Sequence, residues 1–231
     1  MMRLIVIRPE PGGAATVSAA RNLGLEAYGF PLFTVTPQPW DAPDAAGVDA
    51  LLIGSANALR HAGGALARYR HLPAYAVGET TAEACRTAGL TVARTGSGGL
   101  QGVLGQLDPA HRRLLRLGGR ETVALTPPPR VTVIARTVYA SDPQPMPPAL
   151  AQQLAAPCVV MLHSAEAARH FATECTRLGL NRAAITLALI GPRLTDAAGQ
   201  GWAAIACAET PAEAPLLALA QRLCQEATGS Y

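Results

Sequence analysis

Short apolar runs set between turn residues recur along the chain: Leu4–Ile7, Ala50–Ile53, Ala74–Val77, Leu114–Leu117, Cys158–Leu162, Thr186–Ile190 and Ala203–Cys207. They are continuous rather than alternating, the pattern of strands covered on both faces of a parallel sheet. Between most of them lie Ala-rich stretches of helical length: Ala14–Leu23, Ser55–Ala67, Thr80–Ala88, Ala165–Leu178 and Pro211–Gln225. Strands alternating with helices predict an α/β protein of the doubly wound, parallel-sheet type.

The two halves of the chain resemble each other. Leu52-Ile53-Gly54-Ser55-Ala56 has a counterpart in Met161-Leu162-His163-Ser164-Ala165. Ala76-Val77-Gly78-Glu79-Thr80-Thr81-Ala82 has one in Leu189-Ile190-Gly191-Pro192-Arg193-Leu194-Thr195. The spacing to the following apolar run also agrees, 92 − 77 = 15 for Val77 to Val92 and 205 − 190 = 15 for Ile190 to Ile205. A duplicated α/β half-unit explains this most simply, and 231 residues accommodate two domains of similar size.

Two segments break the alternation. Phe30–Pro37 and Val131–Tyr139 are β-branched, extended and flanked by proline, and the second lies between the Pro-rich stretches Thr126–Pro129 and Ser141–Pro148. They read as two crossings between domains.

Composition then removes reaction classes. Lys is absent and all 19 basic residues are Arg, so there is no Schiff-base lysine, pyridoxal-phosphate anchor or Walker-type phosphate lysine. The five cysteines are widely spaced without a CxxC pair and read as reduced, mostly buried thiols. A net charge of +3 without basic clusters, and 4% aromatics, argue against a nucleic-acid face. No apolar run approaches the roughly 20 residues of a membrane span, and Leu4–Ile7 is too short for a signal-peptide core, so the expected setting is cytoplasmic.

Few motifs promise chemistry. Gly96-Ser97-Gly98-Gly99-Leu100-Gln101-Gly102 fails the dinucleotide fingerprint because Gln101 stands where a glycine is required, and no clear strand-to-helix turn with a downstream acidic ribose ligand surrounds it. His163 and His170 sit seven apart on one expected helix, while His61, His71 and His111 lack partners at metal-ligand spacing, so all five read as solvated or capping. Gly54-Ser55-Ala56-Asn57-Ala58 lacks the second glycine of a nucleophile elbow. Ser55 and Ser164 read as helix caps, placed where open α/β sheets bind ligands, at the carboxyl ends of strands.

Taken in order, Arg8-Pro9, Gly54-Ser55-Ala56-Asn57-Ala58, Ala76-Val77-Gly78-Glu79-Thr80-Thr81-Ala82, Leu117-Gly118-Gly119-Arg120, Thr137-Val138-Tyr139, His163-Ser164-Ala165 and Leu189-Ile190-Gly191-Pro192 resemble the uroporphyrinogen-III synthase family across nearly the whole chain. The departures are specific. Gly54 and His163 stand where a threonine is usual, Leu194 stands opposite Thr81, and the short Pro-rich stretch between Arg120 and Val131 leaves little room for a last helix in the middle domain.

The resemblance implies two doubly wound domains, residues 1–36 with 146–231 and residues 38–130, joined by a two-stranded ladder of 30–37 and 131–141, with a deep cleft between them. It implies a cofactor-free, metal-free monomer that closes hydroxymethylbilane into uroporphyrinogen III with loss of water and inversion of the last pyrrole through a spiro intermediate. A transient contact with hydroxymethylbilane synthase belongs to the same expectation. The substrate-binding residues it implies are Arg8, Ser55, Ala56, Asn57, Gly78, Thr81, Gly118, Arg120, Ser164 and Gly191. Tyr139 is the group implied to assist departure of the hydroxyl, against the simpler reading of a packing aromatic. The rival functions are a two-lobed small-molecule binding or regulatory module without catalysis, and a nucleotide-dependent transferase, which the failed phosphate motifs disfavour.

Overall fold

The computed structural model describes residues 2–226; Met1 and residues 227–231, which the expected domain ranges include, lie outside the described residues. The order begins with β1 (Arg3–Val6), α1 (Gly12–Asn22), β2 (Ala27–Gly29) and β3 (Phe33–Pro37). There follow β4 (Ala50–Ile53), α2 (Ala56–His61), β5 (Pro73–Val77), α3 (Glu79–Thr87), β6 (Thr91–Gly96), α4 (Leu100–Leu104), β7 (Arg113–Gly119) and β8 (Thr132–Pro143). Last come α5 (Pro148–Gln153), β9 (Cys158–Leu162), α6 (Ala165–Arg177), β10 (Ile185–Leu189), α7 (Thr195–Ala198), β11 (Ala204–Cys207) and α8 (Glu213–Glu226). Two compact units divide the chain: Met1–Thr34 with Asp142–Tyr231, and Val35–Ser141.

In the first unit five parallel strands run in the order β11-β10-β9-β1-β2. Both faces of this sheet carry a core. Ile5, Val160 and Leu187 point to one side, with Phe171 and Leu150, while Leu4, Val159 and Ala188 point to the other, with Val17 and Leu216. That two-sided burial is why the runs in β1, β9 and β10 are apolar save for the buried Thr186. α6 shows how a helix is fixed locally: the Ser164 hydroxyl accepts from the Ala167 N–H, Glu166 and Arg177 match the helix dipole, and Ala168, Phe171 and Cys175 form one buried stripe.

The second unit holds β8-β7-β4-β5-β6 in parallel, with β3 on the outer edge of β8. Leu51, Ile53, Leu115 and Leu117 face one core and Ala50, Leu52, Tyr75 and Leu114 the other. Between β7 and β8 the residues from Arg120 to Val131 form neither helix nor strand, as the proline-rich stretch led us to expect.

Several expectations need correction. The helix expected over Ser55–Ala67 is the short α2 followed by a 3-10 turn, Gly63–Tyr69, because two glycines interrupt it. Val131–Tyr139, read only as a crossing, pairs with β7 from Thr132 to Tyr139 and is a full member of the sheet, and the strand continues to Pro143 into the supposed linker. The Gly-rich stretch does form a strand-to-helix turn, from β6 to α4. Gly191 opens a 3-10 turn, Pro192–Leu194, before the four-residue α7, rather than a regular helix. Strand β2 and helices α4 and α5 are too short for periodicity to reveal.

Candidate active site

In each sheet the strand order reverses once, between β4 and β7 in one unit and between β1 and β9 in the other. At such a reversal the crossovers leave in opposite directions and open a crevice beyond the carboxyl ends of the strands. The residues singled out in the sequence fall at these two edges, in two separate groups.

The larger group belongs to the unit of β4–β8. Ser55 follows β4, and its hydroxyl accepts the Asn57 N–H at 3.2 Å. Ala56 is buried, and the Asn57 Oδ1 accepts from Arg60 at 2.9 Å. Gly78 follows β5 with φ +74°, a left-handed conformation that admits glycine without strain, and its carbonyl accepts from the N–H groups of Thr81 and Ala82. Thr81 itself is buried in α3. Gly118 and Gly119 end β7, and Gly119 lies in register with Tyr139 on β8. The Tyr139 ring rests directly on Gly119: a Cβ there would sit 2.8 Å from two ring carbons and 3.1 Å from the hydroxyl. The Arg120 N–H donates to the Tyr139 carbonyl at 3.0 Å.

His61, at the end of α2, has its ring 6.2 Å from that of Tyr139. Burial, with the nearby Arg60 charge, lowers its pKa. Reading it as solvated missed this, since nothing in the local sequence links His61 to a strand 78 residues on, 139 − 61. Gly54 has a close neighbour here as well: Leu100 Cδ1 lies 3.0 Å from where a Cβ would be, so a side chain at this position would need Leu100 to shift.

The second group contains Arg8 after β1, His163 after β9, Ser164 capping α6, and Gly191 after β10. Gly191 has φ 178°, ordinary extended backbone. Arg8 is not an open cation. Its Nη1 donates to Glu213 Oε2 at 2.6 Å and to the Thr16 hydroxyl at 3.3 Å, while Thr16 donates to Glu213 Oε1 at 2.5 Å. His163 Nε2 meets the same carboxylate at 3.1 Å, and its Nδ1 is buried without a partner. Burial would raise the Glu213 carboxyl, but the hydrogen bond and field of His163, with Thr16 and Arg8, outweigh it and hold the carboxyl at about 2. The reading of His163 as solvated or capping is therefore corrected: it joins a polar cluster at the strand reversal, because Glu213 and Thr16 come to it from α8 and α1.

Among the described residues no group of three His, Cys, Asp or Glu could hold a metal, and no helix is long and apolar enough to cross a membrane. All five cysteines are free; burial pushes the thiols of Cys85, Cys158 and Cys224 up to about 11 and that of Cys175 to about 12, far from nucleophilic thiolates.

The fold and these strand-end turns define a class, a two-unit doubly wound α/β protein with its polar groups at the carboxyl edges of both sheets. Residues 14–218 match the family of Uroporphyrinogen-III synthase HemD, and the chain belongs to that family, whose function lies in tetrapyrrole biosynthesis. The fold is similar to that of uroporphyrinogen-III synthetase from Helicobacter pylori, at 17% identity and a TM-score of 0.65, covering 96% of this chain and 100% of that one. It is also similar to a mutant uroporphyrinogen III synthase from the extremely thermophilic bacterium Thermus thermophilus, at 17% identity and a TM-score of 0.56, covering 98% of this chain and 100% of that one. No curated protein sequence matches the chain.

Proposed function

We propose that the protein is a cyclising hydro-lyase that converts hydroxymethylbilane to uroporphyrinogen III, and that Tyr139 assists the departure of the hydroxyl group. The substrate is intrinsically reactive. Expelled by the pyrrole nitrogen lone pair, its hydroxyl leaves as water and an azafulvene cation remains, which closes unaided to the symmetric isomer. The enzyme must therefore steer more than activate, so that the substituted carbon of the last pyrrole is attacked and a spiro intermediate re-closes with that ring inverted. Positioning by fixed dipoles suits such a task.

The observation that carries the reading is the Tyr139 phenol packed against Gly119 at the carboxyl end of β7, with the His61 ring 6.2 Å away. From there the phenol O–H donates to the departing oxygen, and the proton it lends returns when the closed ring loses its own. Ser55 and Ser164 use their hydroxyl oxygens as acceptors for backbone N–H groups, which leaves each hydroxyl proton available to a substrate carboxylate. The backbone around Gly78, Gly118 and Gly191, with Ala56, Asn57, Thr81 and Arg120, completes the proposed contacts. Arg8 is assigned a different part, holding Glu213 and the turn after β1 in place, because its guanidinium is already engaged.

The proposed setting is a cytoplasmic monomer without cofactor, receiving a short-lived substrate by transient contact with hydroxymethylbilane synthase. A coupled assay tests the function: hydroxymethylbilane is generated in situ and the porphyrin isomers are separated after oxidation. Type III should dominate with the protein present; type I alone, at the uncatalysed rate, would sink the reading.

A further inference from the structure

Arg116 lies in the middle of β7, between Leu52 of β4 and Ala135 of β8 in register, and is only 9% exposed. It faces the side of the sheet lined by Leu52, Tyr75 and Leu114, where the crossover from β7 to β8 has no helix. Its Nη1 donates to the Val123 carbonyl at 2.9 Å, and its Nε–H is buried without an acceptor. Among the described residues no carboxylate pairs with it. Burial lowers its pKa, opposed only by the field of Tyr139.

A buried cation with no counter-charge and an idle donor is costly, and proteins rarely keep one without a use. What covers it is a strap rather than a packed element. From Arg120 to Val131 the chain has no regular structure and Val123 is 78% exposed, while Leu125 packs against the core below it and Thr126 is held by hydrogen bonds. There the Gln101 amide donates to the Thr126 carbonyl and accepts its N–H, both at 2.9 Å. The strap is thus pinned at Leu125 and Thr126 and only tethered at Val123. The Arg116 Nε also lies 4.0 Å from where a Cβ on Gly118 would be, at the carboxyl end of the strand.

We propose that Arg116 is a carboxylate-binding subsite covered by the strap Arg120–Thr126. An incoming carboxylate binds side-on to Nε–H and the Nη2 N–H beside it, the paired geometry guanidinium offers to carboxylates, while Nη1 keeps its bond to the Val123 carbonyl. This rests on the proposed function in one respect, that the natural ligand is a polycarboxylate, and it assigns one of that ligand's acidic side chains to this unit.

The test compares wild type with Arg116→Met and Arg116→Lys in two arms. In the first, steady-state kinetics on hydroxymethylbilane generated in situ should show Arg116→Met raising KM about ten- to a hundredfold, with Arg116→Lys between, since it keeps the charge and loses the fork. In the second, thermal melting without ligand should leave Arg116→Met as stable as wild type or a few degrees higher, because an uncompensated charge has been removed. The stabilisation that citrate, a small polycarboxylate, gives the wild type should vanish in that variant. The opposite pattern overturns the proposal: Arg116→Met that melts lower, with KM unchanged and citrate protection intact, would mean that the guanidinium merely ties down Val123. A wild type that forms no type III isomer would defeat the functional reading, and the citrate arm would still decide the subsite.

Discussion

Tyr139 and Gly119 act as one feature, since the ring occupies the space that any side chain on Gly119 would need. Tyr139→Phe should therefore keep the fold and slow type III formation about ten- to a hundredfold if the phenol lends a proton. Gly119→Ala, which drives a methyl group against the ring, should lower activity to a similar degree while Tyr139 is still present. Turnover of the Phe variant equal to wild type, with the same melting temperature, would assign the ring to packing. The polar clusters make a separate prediction about acid. Glu213 and Glu174 both have carboxyls held at about 2 instead of 4.5; for Glu174 the Arg177 guanidinium does most of this, against burial and with help from the Met146 N–H. Groups with depressed pKa stabilise the fold fully above the ordinary carboxyl value, and that contribution fades as pH falls from 4.5 towards 2. Melting temperature should drop across that window, and Glu174→Gln should be less stable than wild type at pH 7 yet show a flatter fall; an equally steep fall in the variant would exclude Glu174 as a source. Of these residues the serine caps were legible in the sequence, since Ser55 and Ser164 each stand between an apolar run and an Ala-rich helix. The Arg8–Thr16–His163–Glu213 cluster was not, because its members come from four elements brought together only by the order of strands. Arg116 stood unread inside an apolar run, where a charge in a two-sided strand is itself the signal.

Elements that bury both faces announce themselves in the chain, which is why β4, β9 and β10 are where continuous apolar runs put them. Short elements do not: β2 has three residues and α4 five, fewer than two turns of any period. β8 was misjudged for another reason, that its β-branched sequence suits a sheet member and a crossing strand equally, and only pairing with β7 separates the two. The caps of α2 and α6 connect this scale to function. Ser55→Ala and Ser164→Ala should each cost about 1 kcal/mol of stability, since each removes the acceptor for an otherwise orphaned N–H. If the hydroxyl protons also meet substrate, KM should rise severalfold in both variants, whereas Ser→Gly, which spares most of the capping stability, should reproduce the KM effect with less loss of melting temperature. Stability lost without any change in KM would confine both serines to capping.

At the scale of the whole chain, the two sheets share one strand order. Reading outward from the reversal, β4-β5-β6 on one side and β7-β8 on the other correspond to β9-β10-β11 and β1-β2. The internal likeness of Ile53-Gly54-Ser55 to Leu162-His163-Ser164 follows that correspondence, so the repeat was legible in the sequence. What the sequence left open was the relative direction of the two segments, 30–37 and 131–141, that it read as a ladder. The hydrogen bonds of β3 and β8 answer in part: Gln38 donates to the Val138 carbonyl and Gln144 to the Leu32 carbonyl, so the numbers rise on one strand as they fall on the other and the pair runs antiparallel. The chain thus leaves and re-enters the first unit at neighbouring points, which is how inserted domains are usually tolerated. The first unit has core on both faces of its sheet, and Leu32, Phe33 and Met146 beside the splice belong to it. We expect that deleting Val35–Ser141 and joining Thr34 to Asp142 through Asn-Gly, a two-residue turn suited to closing antiparallel strands, yields a protein that folds alone. Far-ultraviolet circular dichroism should show a mixed α/β spectrum, and heating should give one cooperative transition whose midpoint falls on substituting Phe171→Ala. A broad, non-cooperative melt that Phe171→Ala leaves unaltered would mean that the five-stranded sheet needs the inserted unit to hold its packing, and that the two compact units are not independent domains.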